Sequence, residues 1–232
     1  MTAPDLRPRV KSLLPEADSS SARGTAIMAR HPRAMTPRRE AILNATLIAA
    51  GAGGYEAVQM RAIAQRAGIA VGTLYRYFPS KTHLLVAALT REFQRLDAVC
   101  DWAATGATRQ QRLNRLTTRL HDEWQRAPLL TEAMTRTFLA ANATAASEVN
   151  QAATVIERVL ARALGGGQAS TQDRQVAGLI ADVWLANLAA FIGQRASATE
   201  ARDRIEWATR RILASDAAGS RTLDEQNGEP EL

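Results

Sequence analysis

From Thr36 to about residue 214, apolar residues recur at intervals of three and four, interrupted by glycine or proline. That period permits amphipathic helices and little else. No segment alternates β-branched with polar residues, and no repeat of roughly 20–50 residues is present, so no sheet is expected. Thr36-Pro37 followed by Glu40 reads as an N-cap, a proline at the first helical position and an acidic first turn. That helix should run to Gly51 and break at Gly53-Gly54. Met60, Ile63, Ala64 and Ala67 mark a short helix ending at Gly68, and another starts near Val71 and stops before Pro79. Ser80 should cap a longer helix through Leu84, Leu85, Leu89, Phe93 and Leu96. Four or five more helices follow, separated at Gly106, Pro128, Asn142–Ala145, Gly165-Gly166-Gly167 and Ser197.

The expected class is therefore all-α. A three-helix N-terminal domain occupies 36–82 and a larger helical domain 83–214. Residues 1–35, with four prolines, the run Ser19-Ser20-Ser21 and no apolar period, are expected to form a disordered arm. Met28 and Met35 are both candidate starts. Residues 215–232 turn polar and acidic and are expected to be a loose tail. The stretch Val176 to Gly193 is long enough to approach a bilayer span, but Asp182 and Asn187 lie inside it. A helix apolar on nearly all sides is instead expected between subunits, where Gly178, Ala181, Ala186, Ala189 and Ala190 allow close approach. No membrane association is expected.

Val58 to Leu85 carries the functional signal. It reads as helix, tight glycine turn, helix, with Arg61, Gln65 and Arg66 outside the first helix. Leu74 and Phe78 at i, i+4 would hold the second, whose other face bears Thr73, Tyr75, Arg76 and Tyr77. All three tyrosines of the chain lie between 55 and 77. Two angled helices, the second tipped with polar and aromatic groups, suit the DNA major groove. Gly72 and Thr73 would bring backbone N–H groups to phosphate.

The run Gly68 to Leu84, G-x-x-x-G-T-L-Y-x-Y-F-x-S-K-x-x-L, resembles the DNA-binding signature of TetR-type transcriptional regulators. GGYEAVQMR (53–61), PLLTEAMTRTF (128–138) and IADVWLANL (180–188) are similar to actinobacterial members that repress cholesterol catabolism, and the likeness spans roughly 36–213. The resemblance implies DNA contacts from Gln59 and Arg61 at the start of the second helix, from Val71, Gly72, Thr73, Tyr75 and Tyr77 on the recognition helix, and from Lys81 on phosphate. Arg61 could read guanine; Val71 and the Thr73 methyl could touch thymine methyls. It further implies a homodimer through the last two helices (about 173–195 and 199–214), and an inverted-repeat DNA operator. The larger domain would then bind a small apolar effector, a steroid-derived acid as its CoA thioester. Candidate lining residues are Phe93, Leu96, Trp102, Trp124, Leu130, Met134, Phe138, Trp184, Asn187 and Phe191. The alternative within the family is a regulator of drug efflux or another unrelated operon.

Other classes find little support. A single cysteine, Cys100, excludes a disulfide framework and points to a reducing, cytoplasmic compartment, and no charged-then-apolar leader is visible. His31, His83 and His121 lack metal-ligand spacing, and no nucleophile elbow, P-loop or dinucleotide fingerprint appears, so neither an enzyme, a metal nor a cofactor is expected. The formal charge of +6 is unevenly placed. Residues 1–81 carry 12 basic and 5 acidic side chains; residues 82–232 carry 17 and 18. A basic head on a neutral body is the pattern of a polyanion binder.

Overall fold

The computed structural model describes residues 36–103, 107–141 and 145–227, and among these every regular element is a helix. Nine are present: α1 (Pro37–Ala57), α2 (Met60–Arg66), α3 (Val71–Tyr77), α4 (Lys81–Val99), α5 (Arg109–Arg126), α6 (Pro128–Ala140), α7 (Ala146–Gly165), α8 (Thr171–Ile192) and α9 (Ala198–Asn227). The expected arm, Gly106 and part of the 142–145 break lie outside the described residues. Position 214, where the sequence ends the body, is passed: α9 continues to Asn227.

The caps fall where side-chain chemistry puts them. Thr36 accepts from the Arg39 N–H at 3.3 Å and Ser80 from the His83 N–H at 3.4 Å. Thr108 with Gln111, and Ser170 with Asp173, form reciprocal capping boxes. α7 ends on Gly166 at φ 63°, and Arg112 reaches across to the last carbonyls of that helix, Ala163 and Leu164, at 2.8 and 2.6 Å.

Two apolar cores are distinct. The first joins Ile42, Leu43 and Ala50 of α1, Ile63 and Ala64 of α2, Leu74 of α3, Phe78, and Leu84, Leu85 and Ala88 of α4; it also takes Ala133 and Met134 of α6. The second gathers Leu96, Trp102, Leu113, Leu116, Leu160, Leu164, Ile180, Trp184 and Ile205. α4 contributes to both, and α6 lies along α1. Between them Arg91, 2% exposed, fastens α4 to α1: its guanidinium donates to Glu40 Oε2 at 2.9 Å, Asn44 Oδ1 at 2.8 Å and Glu92 Oε1 at 2.9 Å. A buried cation this well partnered is costly to break from either side, on the order of 3–5 kcal/mol.

Candidate nucleic-acid interface and body cavity

α2 and α3 are each seven residues long, too short to persist alone. The tight turn between them uses Gly68 at φ 66°, a left-handed conformation that glycine takes without strain. α3 is pinned by fully buried Leu74 and by Phe78, which is 2% exposed, and this points the rest of the helix outward. Tyr75 is 47% exposed, and Gln59, Arg61, Gly72 and Arg76 are exposed with it. Val71, Thr73, Tyr77 and Lys81 are half-buried, Val71 and Tyr77 being packed on the head core. The eight expected DNA residues thus occupy α2, α3 and the turns flanking them, with Lys81 opening α4. One detail is corrected. The Thr73 N–H donates to the Ala70 carbonyl at 2.9 Å, within the first turn of α3, so it is not a donor held open for phosphate.

Lys81 is held in place by a group the sequence did not single out. Its Nζ lies 3.6 Å from the centre of the Tyr55 ring, and the Arg136 guanidinium is 4.7 Å from the same ring. Partial burial lowers the Lys81 pKa, with Glu56 opposing the shift. Tyr55 follows a kink in α1 at Gly53 (φ −152°, ψ 23°) and Gly54 (φ 65°, ψ −159°), where the intrahelical ladder is lost. The Tyr55 N–H is taken instead by Glu132 Oε2 of α6 at 3.2 Å. Arg136 completes the joint by pairing with Glu56 at 3.3 Å and Glu132 at 3.5 Å. The glycine pair was legible as a break; its partner, 77 residues away, was not.

The body candidates do not converge on one space. Leu130 and Met134 belong to the head core, while Phe93, Leu96, Trp102, Trp124 and Trp184 belong to the body core. Phe138 and Phe191 are half-buried on α6 and α8. Asn187 donates to the Val183 carbonyl of its own helix at 2.8 Å. Asp182 is exposed. Trp124 and Trp184 meet edge to face at 5.1 Å and line a cavity of about 320 Å³ between α5, α8 and α9. His121, Arg202 and Thr209, none of them singled out as lining residues, share it.

Residues 42–88 match the family model for bacterial regulatory proteins of the tetR family, and residues 106–212 match the tetracyclin repressor-like C-terminal domain. The chain belongs to the TetR family. Among its curated relatives is the HTH-type transcriptional repressor KstR of Mycolicibacterium smegmatis, 52% identical over 184 residues, covering 79% of this chain and 90% of that protein. The KstR of Mycobacterium tuberculosis is 49% identical over 216 residues, covering 91% and 93%. A TetR transcriptional regulator from Rhodococcus sp. RHA1 shares the fold with a TM-score of 0.67 at 28% identity, over 76% of this chain and 94% of its own. This is a KstR-like transcriptional repressor of the TetR family, and α2–turn–α3 is its helix-turn-helix.

Among the described residues no three histidine, cysteine or acidic side chains are grouped to hold a metal ion. One helix, Thr171–Ile192, is long and apolar enough to cross a membrane by composition, and only 22% of that window is buried within the single chain. Most of the rest of that helix is half-buried.

Proposed function

We propose that this protein is a dimeric cytoplasmic repressor of sterol- and lipid-catabolism genes, released from inverted-repeat operators by a steroid-derived acid carried as its CoA thioester. The observation that carries this reading is the level of identity, about half of all positions, to curated KstR repressors across both domains. A head alone would support only DNA binding; likeness in the body extends it to the effector.

In this reading α3 enters the major groove. Tyr75 and Tyr77 set the helix on the backbone, Val71 and the Thr73 methyl meet thymine, and Gly72 lets the chain come close. Arg61, aided by Gln59, reads a base edge from the start of α2, and a bidentate guanine contact would give about 1–3 kcal/mol of discrimination. Lys81, steadied on Tyr55, neutralises phosphate. Two such heads are brought together by α8 and α9, whose exposed Leu179 (56%) and Trp207 (60%) support a buried apolar contact between copies. The effector acts on the body helices, drawing on the expected lining residues that lie in the body core. The Tyr55–Glu132–Arg136 joint gives body movement a direct grip on α1 and Lys81.

The test is an electrophoretic mobility shift with the promoter of the protein's own gene. Steroid CoA thioesters should release the DNA at micromolar concentration while free CoA does not. A complex that survives the thioesters, or a gene neighbourhood holding an efflux pump in place of steroid-degrading enzymes, would sink the proposal.

A further inference from the structure

α3 is anchored at one point of its circumference, and the anchor fixes what the opposite side presents. Leu74 is fully buried. Successive residues of an α-helix stand about 100° apart, so Gly72 and Arg76, on either side of Leu74 in the chain, lie about 160° from it around the axis. Tyr75 lies about 100° away and Tyr77 about 60°. The exposures agree: Gly72 and Arg76 are exposed, while Tyr77 is half-buried on the head core. The centre of the outward face is therefore a bare backbone position with an arginine one turn further on.

Neither residue is committed inside the chain. Among the described residues Arg76 makes no hydrogen bond or ion pair, and no acidic residue occurs between Glu56 and Glu92 to pair with it locally. Gly72 is not required by the fold either. Its φ is not positive, and a Cβ there would meet nothing within 4 Å. Glycine is the poorest helix former after proline, yet it stands in a helix of only seven residues. The space left by its missing side chain is of use only to something outside the chain.

The dimensions of the major groove decide what each group meets. The groove is about 12 Å wide and a helix with its side chains about 10–12 Å across, so the helix fills it from wall to wall. Tyr75, on the flank, then faces a sugar–phosphate wall. The group opposite the anchor faces the base edges on the floor. An arginine there is matched by guanine, whose O6 and N7 accept two parallel N–H bonds from one guanidinium.

We propose that Arg76 is the principal base-reading residue of α3, donating to one guanine in each half-site, and that Gly72 keeps the helix close enough for it to reach. This rests on the reading above that α3 enters the major groove; it is independent of the effector.

The experiment uses the full-length protein and operator DNA from its own promoter, with affinity followed by fluorescence anisotropy across single base-pair changes in one half-site. Wild type should lose about tenfold or more at one G·C pair. It should also weaken with 7-deazaguanine at that position, which pairs normally but lacks the N7 acceptor. Arg76→Ala should bind the parent, the changed and the 7-deaza operators alike, and should melt as wild type does because its side chain is exposed. Arg76→Lys keeps the charge without the paired donors, so it should hold the salt dependence and give up most of the guanine preference. Gly72→Ala should melt no lower than wild type and bind about tenfold more weakly through overpacking against the DNA. Variants of Arg76 that keep every base preference overturn the proposal; a uniform loss with a salt slope shallower by about one would make Arg76 a phosphate contact. Wild-type affinity in Gly72→Ala overturns the close approach. Tyr75→Ala separates this failure from failure of the groove placement. If Tyr75→Ala weakens binding while Arg76→Ala keeps its preferences, α3 stays in the groove and another residue reads. Wild-type affinity in both takes α3 out of it.

Discussion

Gly54 sits where α1 packs closely against α6. It is buried at φ 65°, and a Cβ there would come within 3.1 Å of Glu132 Oε2. Gly54→Ala should therefore lose about 1–3 kcal/mol from this positive-φ, essentially glycine-only backbone alone, read as a lower urea midpoint. Glu132→Gln, which keeps an acceptor, should cost less than Glu132→Ala; equal losses would mean that the Tyr55 N–H contact is immaterial. His121 makes a pH prediction of definite sign. Its pKa in the folded chain lies below the ordinary 6.5, so the unfolded chain takes up the proton first. Stability should fall as pH drops below about 6.5, and His121→Phe should flatten that slope in thermal melts. Which of these residues could be read in advance follows from distance along the chain. Caps such as Thr36 and Ser80 act three residues away and were legible. The Tyr55–Glu132 bond and the meeting of His121 with Trp184 and Thr209 depend on packing that no local pattern encodes.

At the scale of elements, α8 carries the clearest expectation. Its sequence is apolar around most of its circumference, yet within one chain much of that surface is only half-buried. Leu179→Glu should convert a dimer to a monomer in light scattering, with operator affinity falling in parallel; a persistent dimer would move the interface off α8. The recognition helix shows the opposite economy, seven residues fixed by Leu74 and Phe78. Helix starts with strong caps were legible to within a residue or two and ends less closely: the expected 173–195 is Thr171–Ile192, and α1 runs past Gly51 to Ala57 across its kink. The end of α9 was not legible: the stretch after residue 214 is polar and holds Gly219-Ser220, yet the helix continues through it to Asn227. Asp216, within that continuation, pairs with Arg109 of α5 at 2.8 Å and gives the extension a tertiary anchor.

Over the whole molecule the charge division sets how the protein meets DNA. A head rich in arginine on a neutral body should give operator binding that weakens steeply with salt, log K falling linearly with log salt concentration. Lys81→Gln should make that slope shallower by about one, measured as affinity across a salt series; an unchanged slope would remove Lys81 from the phosphate contacts.

The two cores also bear on how such regulators can be recombined. The expected boundary between head and body lies near residue 82, but the head's core is closed by Ala133 and Met134, and its α1 kink is tied to Glu132 and Arg136. A cut at the linear boundary would strip the head of a wall supplied by α6. Operator preference is thus better transplanted by exchanging the outward residues of α2 and α3 than by swapping domains. A chimera made at residue 82 would need to bring its own α6 face with it.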